Sequence, residues 1–273
     1  MTSKKSAAPA SSTHPGRAMH SLARKEIARI DRALAGEHSE GTPVHEARKA
    51  IRRLRSLLGL CEARLDGVEA IDGRLRALGH SLSALRDAQV SVDTAARMAH
   101  RHGADAWQPA VDRLEARRLK IVAAALAKDP GFARRRARLE KIGAEMGRWD
   151  WTGMSEASIH RALRASEKRV ARSEKRARKD PVADNLHRWR RRVRRLRMQL
   201  EVATRVLGDA ASSAGRSSAR HRAKVMHRLT DRLGQRQDLE VLLGLVKPMR
   251  DLPGKGALMD QLRDSIQELH SAT

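Results

Sequence analysis

Leu186 to Leu200 reads LHRWRRRVRRLRMQL: seven arginines and one histidine, no acid, over apolar residues at helical spacing. At 100° per residue, Leu186, Trp189, Val193, Leu196 and Leu200 fall in one stripe about 80° wide. His187, Arg190, Arg194 and Arg197 fall in a neighbouring stripe of about the same width, which Arg191 and Arg195 widen on the far side. The segment is therefore a helix with one face for a core and one face of packed positive charge. Neighbouring cations at i,i+3 and i,i+4 repel by a few tenths of a kcal/mol per pair. A sequence that keeps such a row points to an anion that offsets it.

The row is built twice. VHEARKAIRRLRSLLGL, residues 44 to 60, repeats it 142 residues upstream. His45, Arg48, Arg52, Arg53 and Arg55 align with His187, Arg190, Arg194, Arg195 and Arg197, and Lys49 with Arg191. Val44, Ala47, Ile51, Leu54 and Leu58 form the matching apolar stripe, and Thr42 and Asp184 align as N-cap candidates. Further on, LSALRDAQVSV (82–92) pairs loosely with LGQRQDLEVLL (233–243), which puts Asp87 in register with Asp238. These two acids read as holders of a neighbouring arginine rather than as chemical groups. HSLAR (20–24) and HRALR (160–164) form a third loose pair. An internal duplication follows, its halves meeting near WDWTG, where Trp149 and Trp151 read as junction packing.

The rest of the chain is helical in pattern, with no alternating strand. Gly, Pro and Ser clusters at 36–43, 100–107, 128–131, 149–155, 179–184, 208–218 and 250–256 mark loops. They leave about eight helical segments, and long helices on modest loops imply antiparallel bundles. Residues 1–16 read as a flexible basic tail and 17–270 as the folded domain, in halves of about 17–150 and 151–270. The single cysteine, Cys61, excludes an intramolecular disulfide and reads as a small core residue.

The formal charge is +25 over 273 residues. Such an excess repels itself in the compact state, so the expected partner is a polyanion. Guanidinium forks suit phosphate oxygens, and each histidine is expected near the free N–H groups that open its helix. The basic helix 160–179 adds Arg161, Arg164, Lys168 and Arg172 at helical spacing, with Arg24 as a further candidate. Its Glu167 and Glu174 give it a more mixed surface. No apolar run approaches a membrane span and no hydrophobic signal core is present, so the expected location is cytoplasmic, with no membrane partner.

The pattern His-x2-Arg-x3-Arg-Arg-x-Arg, twice, each followed by a Leu-rich stretch with Asp, resembles the CHAD family (conserved histidine α-helical domain). The likeness covers nearly all of 17–270. It implies an all-α fold of two pseudo-symmetric antiparallel four-helix bundles with a basic cavity between them. It also implies binding of inorganic polyphosphate and association with polyphosphate granules. By motif match the ligands would be His45, Arg48, Arg52, Arg53, Arg55, His187, Arg190, Arg194, Arg195 and Arg197, with Lys49 and Arg191 beside them. Members are often fused to a CYTH domain. No Glu-x-Glu-x-Lys motif occurs here, so a stand-alone CHAD domain is expected. One departure is LRDAQV (85–90), where an acidic or apolar residue is expected beside the Asp.

Two other functions compete with this reading. Nucleic acid would be held by the same charge, but single-strand readers use stacking aromatics. The composition has four Trp, one Phe and no Tyr, and Trp189 falls on the core stripe. A phosphoanhydride-cleaving enzyme would need carboxylates to hold a metal and place a water, and the basic stripes lack them. The expectation is a non-catalytic binder with no cofactor and no metal. Chain-length preference and oligomeric state are not legible.

Overall fold

A computed structural model describes residues 14–37, 42–207 and 213–271. The chain is all-helical among the described residues. Its α-helices are α1 (Pro15–Ala35), α2 (Pro43–Cys61), α3 (Val68–Ser81), α4 (Ser83–His102), α5 (Ala104–Lys128), α6 (Ala133–Gly147), α7 (Glu156–Lys179), α8 (Ala183–Leu207), α9 (Ser213–Val246) and α10 (Lys255–Ser271). Short 3-10 turns at Pro130–Phe132 and Trp151–Gly153 join α5 to α6 and α6 to α7. Residues 1–13 of the expected tail and 208–212 of the expected loop lie outside the described residues. Gly16 belongs to the first turn of α1, where its N–H donates to His14 Nδ1 at 3.2 Å.

The helices are sited by their apolar stripes. On α2, Ala47, Ile51, Leu54 and Leu58 are buried, and on α8, Trp189, Val193, Leu196 and Leu200. These faces meet α1, α3, α6 and α7 in one large core that also takes in Met19, Ile30, Ile71, Leu75, Ile142 and Ile159. A second core gathers the end of α4, the start of α5, the end of α9 and α10 around Trp107, Leu114, Leu242, Val246 and Leu262. Each core takes helices from both halves of the repeat. The hydrophobic division of the molecule is thus not the division of the sequence.

Helices α2 and α8 pack on each other. Ser56 and Met198, equivalent places in the repeat, meet there with Oγ 3.6 Å from Sδ. Trp151 is buried at the junction, donates Nε1–H to the Met146 carbonyl at 3.1 Å and stacks on His20. Gly16 sits so close to the Trp151 carbonyl that a β-carbon would collide with it. Cys61 is buried, and desolvation pushes its thiol up to about 12.

The chain has two more breaks than the sequence pattern suggests. The first lies at 62–67, where helix-forming residues hide a stop that Gly67, at φ 77°, completes. The second is the α3–α4 join at Leu82, which has no Gly or Pro. There the Leu82 N–H closes on the Gly79 carbonyl at 3.3 Å, Ser81 Oγ donates to the Leu78 carbonyl at 2.8 Å, and arginines from elsewhere add to the cap. Arg48 donates to the Gly79 carbonyl, and Arg135 to the Ser81 carbonyl at 3.1 Å. A cap supplied by tertiary contacts leaves no local mark in sequence.

Candidate functional site

The basic stripes of α2 and α8 converge. Arg52 and Arg194 are half-way along the two helices, and among the described residues no carboxylate pairs with either. Burial lowers the Arg52 guanidinium to about 10, and the charges of Arg48, Arg86, Arg190 and Arg197 add to the shift. Burial lowers Arg194 to about 9, helped by Arg190, Arg52, Arg86 and Arg197. Both stay charged at neutral pH. Each pair of unit charges ~8 Å apart costs roughly 2 kcal/mol at an effective dielectric near 20. The Nε–H groups of Arg48, Arg52, Arg190, Arg194, Arg195 and Arg197 are buried and have no hydrogen-bond partner in the protein. Buried donors without acceptors are rare in native proteins, and here all but that of Arg195 belong to one cationic cluster or its edge.

The flanks of the cluster are held in place. Arg48 donates to Ser83 Oγ at 3.0 Å on α4. Arg190 donates to Gln237 Oε1 on α9, which also lies 3.0 Å from His187 Nδ1. Gly234 leaves the space through which Arg190 passes, since a β-carbon there would stand 2.4 Å from its Nη2. Asp184, His187, Arg190, Arg236, Gln237 and Glu240 line a cleft of about 330 Å³ beside this group. Burial lowers the His187 imidazole below its ordinary value of 6.5, with Arg191, Arg190 and Arg194 adding to the effect against the Gln237 hydrogen bond. His45 is more exposed. Desolvation lowers it, as do Arg52, Lys49 and Arg86, against a smaller opposing pull from Glu46.

Several predicted ligands are placed elsewhere. Arg55 gives both arms of its fork to Asp72, at 2.9 Å each. Arg195 passes over Gly59 toward the same carboxylate, which is one of the charges acting on it. At 100° per residue the stripe that carries Arg53 and Arg195 is turned more than a right angle from Arg48 and Arg190, so it cannot share their cluster. Arg53 is half-buried. Arg197 reaches the cluster but also pairs with Glu201 at 2.7 Å. Lys49 pairs with Glu46 at 3.3 Å, and Arg191 is exposed.

The α7 candidates Arg161, Arg164, Lys168 and Arg172 are exposed, and α7 supplies none of the charges that act most on Arg52 and Arg194. Instead Arg172 joins Arg169, Arg176 and Arg188 around Arg192. Arg24 lines a separate groove between α1 and α6. Neither helix start offers its histidine the expected anion site. His45 N–H is taken by Thr42 Oγ1 at 3.4 Å. Helix α8 begins at Ala183, one residue before Asp184, so Asp184 is a first-turn acid paired with Arg188 rather than the cap.

One member of the cluster comes from outside the motifs. Arg86 on α4 donates to Asp87 at 3.0 Å and to Asp238 on α9 at 3.4 Å. The two acids that the loose repeat brings into register thus hold one arginine between them. The signal was present in LRDAQV, as the residue beside the Asp that departs from expectation.

Among the described residues no helix is long and apolar enough to cross a membrane. The family model of the CHAD domain matches residues 17–247. The chain is similar to the crystal structure of the CHAD domain from the plant Ricinus communis. The TM-score is 0.67 at 21% identity, over 98% of this chain and 89% of that one. No match to a curated protein is found.

Proposed function

The chain belongs to the CHAD domain family, and on that premise we propose that it binds inorganic polyphosphate, without acting on it chemically, through the arginines that α2 and α8 bring together. The observation that carries this reading is the pair Arg52 and Arg194, half-buried among like charges with no carboxylate partner. A linear phosphate chain carries negative charge at every unit, which offsets the crowded guanidiniums, and its oxygens accept hydrogen bonds from arginine forks. Arg48, Arg52, Arg190, Arg194 and Arg197 are the ligands in this account, with His45 and His187 beside them. Arg55 and Arg195 stabilise the fold through Asp72. The same reading relates the two halves by a pseudo-twofold axis near Ser56 and Met198, with the basic groups lining a cavity between them. The meeting of those two equivalent side chains supports it. A cytoplasmic protein associated with polyphosphate granules would use this face.

The test is a titration with long-chain polyphosphate over a salt series, with duplex DNA as competitor at equal phosphate concentration. Log affinity should fall linearly with log salt as counterions are released, and DNA should compete weakly, because a rigid duplex cannot enter the cluster. Equal competition by DNA would sink the reading. The pH dependence has a definite sign. Both imidazoles are held below their ordinary value, so in the free protein they are neutral at pH 7. A bound polyanion favours the protonated form, so binding takes up protons and tightens as pH falls through the imidazole pKa of the complex, levelling off below that of the free protein. His45→Gln with His187→Gln should flatten that rise. An unchanged rise in the double variant would remove the histidines from the site.

A further inference from the structure

Beyond the motif residues, we infer that Arg86 joins the two half-sites, so that one phosphate chain runs unbroken from the His45 side to the His187 side across it. This rests on the polyphosphate reading and adds a ligand and a chain-length preference to it.

The placement is traced through side-chain contacts. Arg48 of the first motif is tied to Ser83 at the start of α4. Arg86 stands one turn further along the same helix and reaches Asp238 on α9. The neighbour of Asp238 in sequence, Gln237, accepts from Arg190 of the second motif and contacts His187. Arg86 is therefore the link in space between Arg48 and Arg190, residues that the repeat makes equivalent. Its charge acts on His45, Arg48, Arg52, Arg190 and Arg194 alike, so it belongs to both halves.

The two halves differ at this place. In the loose alignment of LSALRDAQVSV with LGQRQDLEVLL, Arg86 stands opposite Gln237. The first half supplies a cation and the second a neutral amide that braces Arg190 and His187. One shared cation at the meeting point suits one continuous ligand better than two separate phosphates. Linking two half-sites by a single chain turns the second contact into an intramolecular one, so affinity should climb once a chain is long enough to reach both.

The experiment compares inorganic triphosphate with long-chain polyphosphate on the full chain, in wild type, Arg86→Gln, Asp238→Asn and the double variant Arg52→Gln/Arg194→Gln. A thermal melt of each variant accompanies the titrations. Arg86→Gln should lose on the order of tenfold for the long chain and much less for triphosphate. Asp238→Asn breaks the α4–α9 ion pair while keeping the cation, so it should bind the long chain several-fold more tightly. If Asp238→Asn weakens binding as Arg86→Gln does, or if Arg86→Gln loses equally on both lengths or on neither, Arg86 merely holds α4 to α9 and the inference falls. Should Arg86→Gln fail to fold, Asp238→Asn alone still decides, by tightening or weakening. A wild type that does not bind, or a double variant that binds as well as wild type, overturns the proposed function itself. Loss in the double variant with Arg86→Gln unaffected overturns only the bridge.

Discussion

Replacing Arg52 and Arg194 together with glutamine is expected to weaken long-chain polyphosphate binding by at least about a hundredfold. Each hydrogen bond to a charged group contributes about 1.5–3 kcal/mol, and two such losses give a factor of that size or more. The fold should survive, and the free variant should melt at a higher temperature than wild type. The two guanidiniums are half-buried in a field of like charge with no carboxylate, so the free protein is relieved when they become neutral. A loss of binding together with a gain of stability is hard to produce by misfolding. The melt and the titration therefore have to be read on the same sample. If the variant melts lower than wild type, the two side chains support the structure and the account of the cluster is wrong.

The second large effect concerns stability alone. Asp72→Asn is expected to cost about 2 kcal/mol, below the usual range for breaking a buried pair because Arg55 keeps 26% of its side chain in water. For a domain of this size that is a fall of roughly 4–8 °C in Tm. Burial alone would raise the Asp72 carboxyl. The hydrogen bonds and charge of Arg55, with Arg195 and Arg76, more than reverse this and hold it below 3.8. A depressed acid contributes stability that is fully present above the unfolded value and is lost as pH falls through the folded one. Wild type should therefore lose stability below about pH 3.8, and Asp72→Asn should show a flatter acid limb. Affinity for polyphosphate should be kept in this variant. A drop in affinity on the scale of the Arg52/Arg194 pair would return Arg55 to the ligand set.

Much of this molecule was legible in the sequence. The apolar stripes of α2 and α8 are buried except at their first positions, Val44 and Leu186, which pack on the core half-buried, and Trp189 is in the core as its phase requires. The phase of the helix also placed Arg48, Arg52, Arg190 and Arg194 on one face. It could not say that α2 and α8 would turn those faces toward the same place, because that depends on how the helices cross. Spacing alone could not separate Arg55 from its counterpart Arg197 either. The two occupy equivalent places, yet one meets Asp72 on α3 and the other meets Glu201 one turn along its own helix. Arg86 was missed for the same reason. It lies outside both motifs, and although Asp87 and Asp238 read as holders of a neighbouring arginine, which one they hold depends on α4 and α9 bringing the two acids together. The α3–α4 break escaped because Leu82 is no breaker and part of its cap comes from the arginines of other helices.

The central claim is that phosphate lies along the α2–α8 cluster and not on the exposed basic face of α7. A crystal structure of the full chain grown with long-chain polyphosphate tests it most directly. The account predicts tetrahedral density in contact with Arg48, Arg52, Arg86, Arg190 and Arg194. Density confined to Arg161, Arg164, Lys168 and Arg172, with the α2–α8 cluster unchanged, would contradict it.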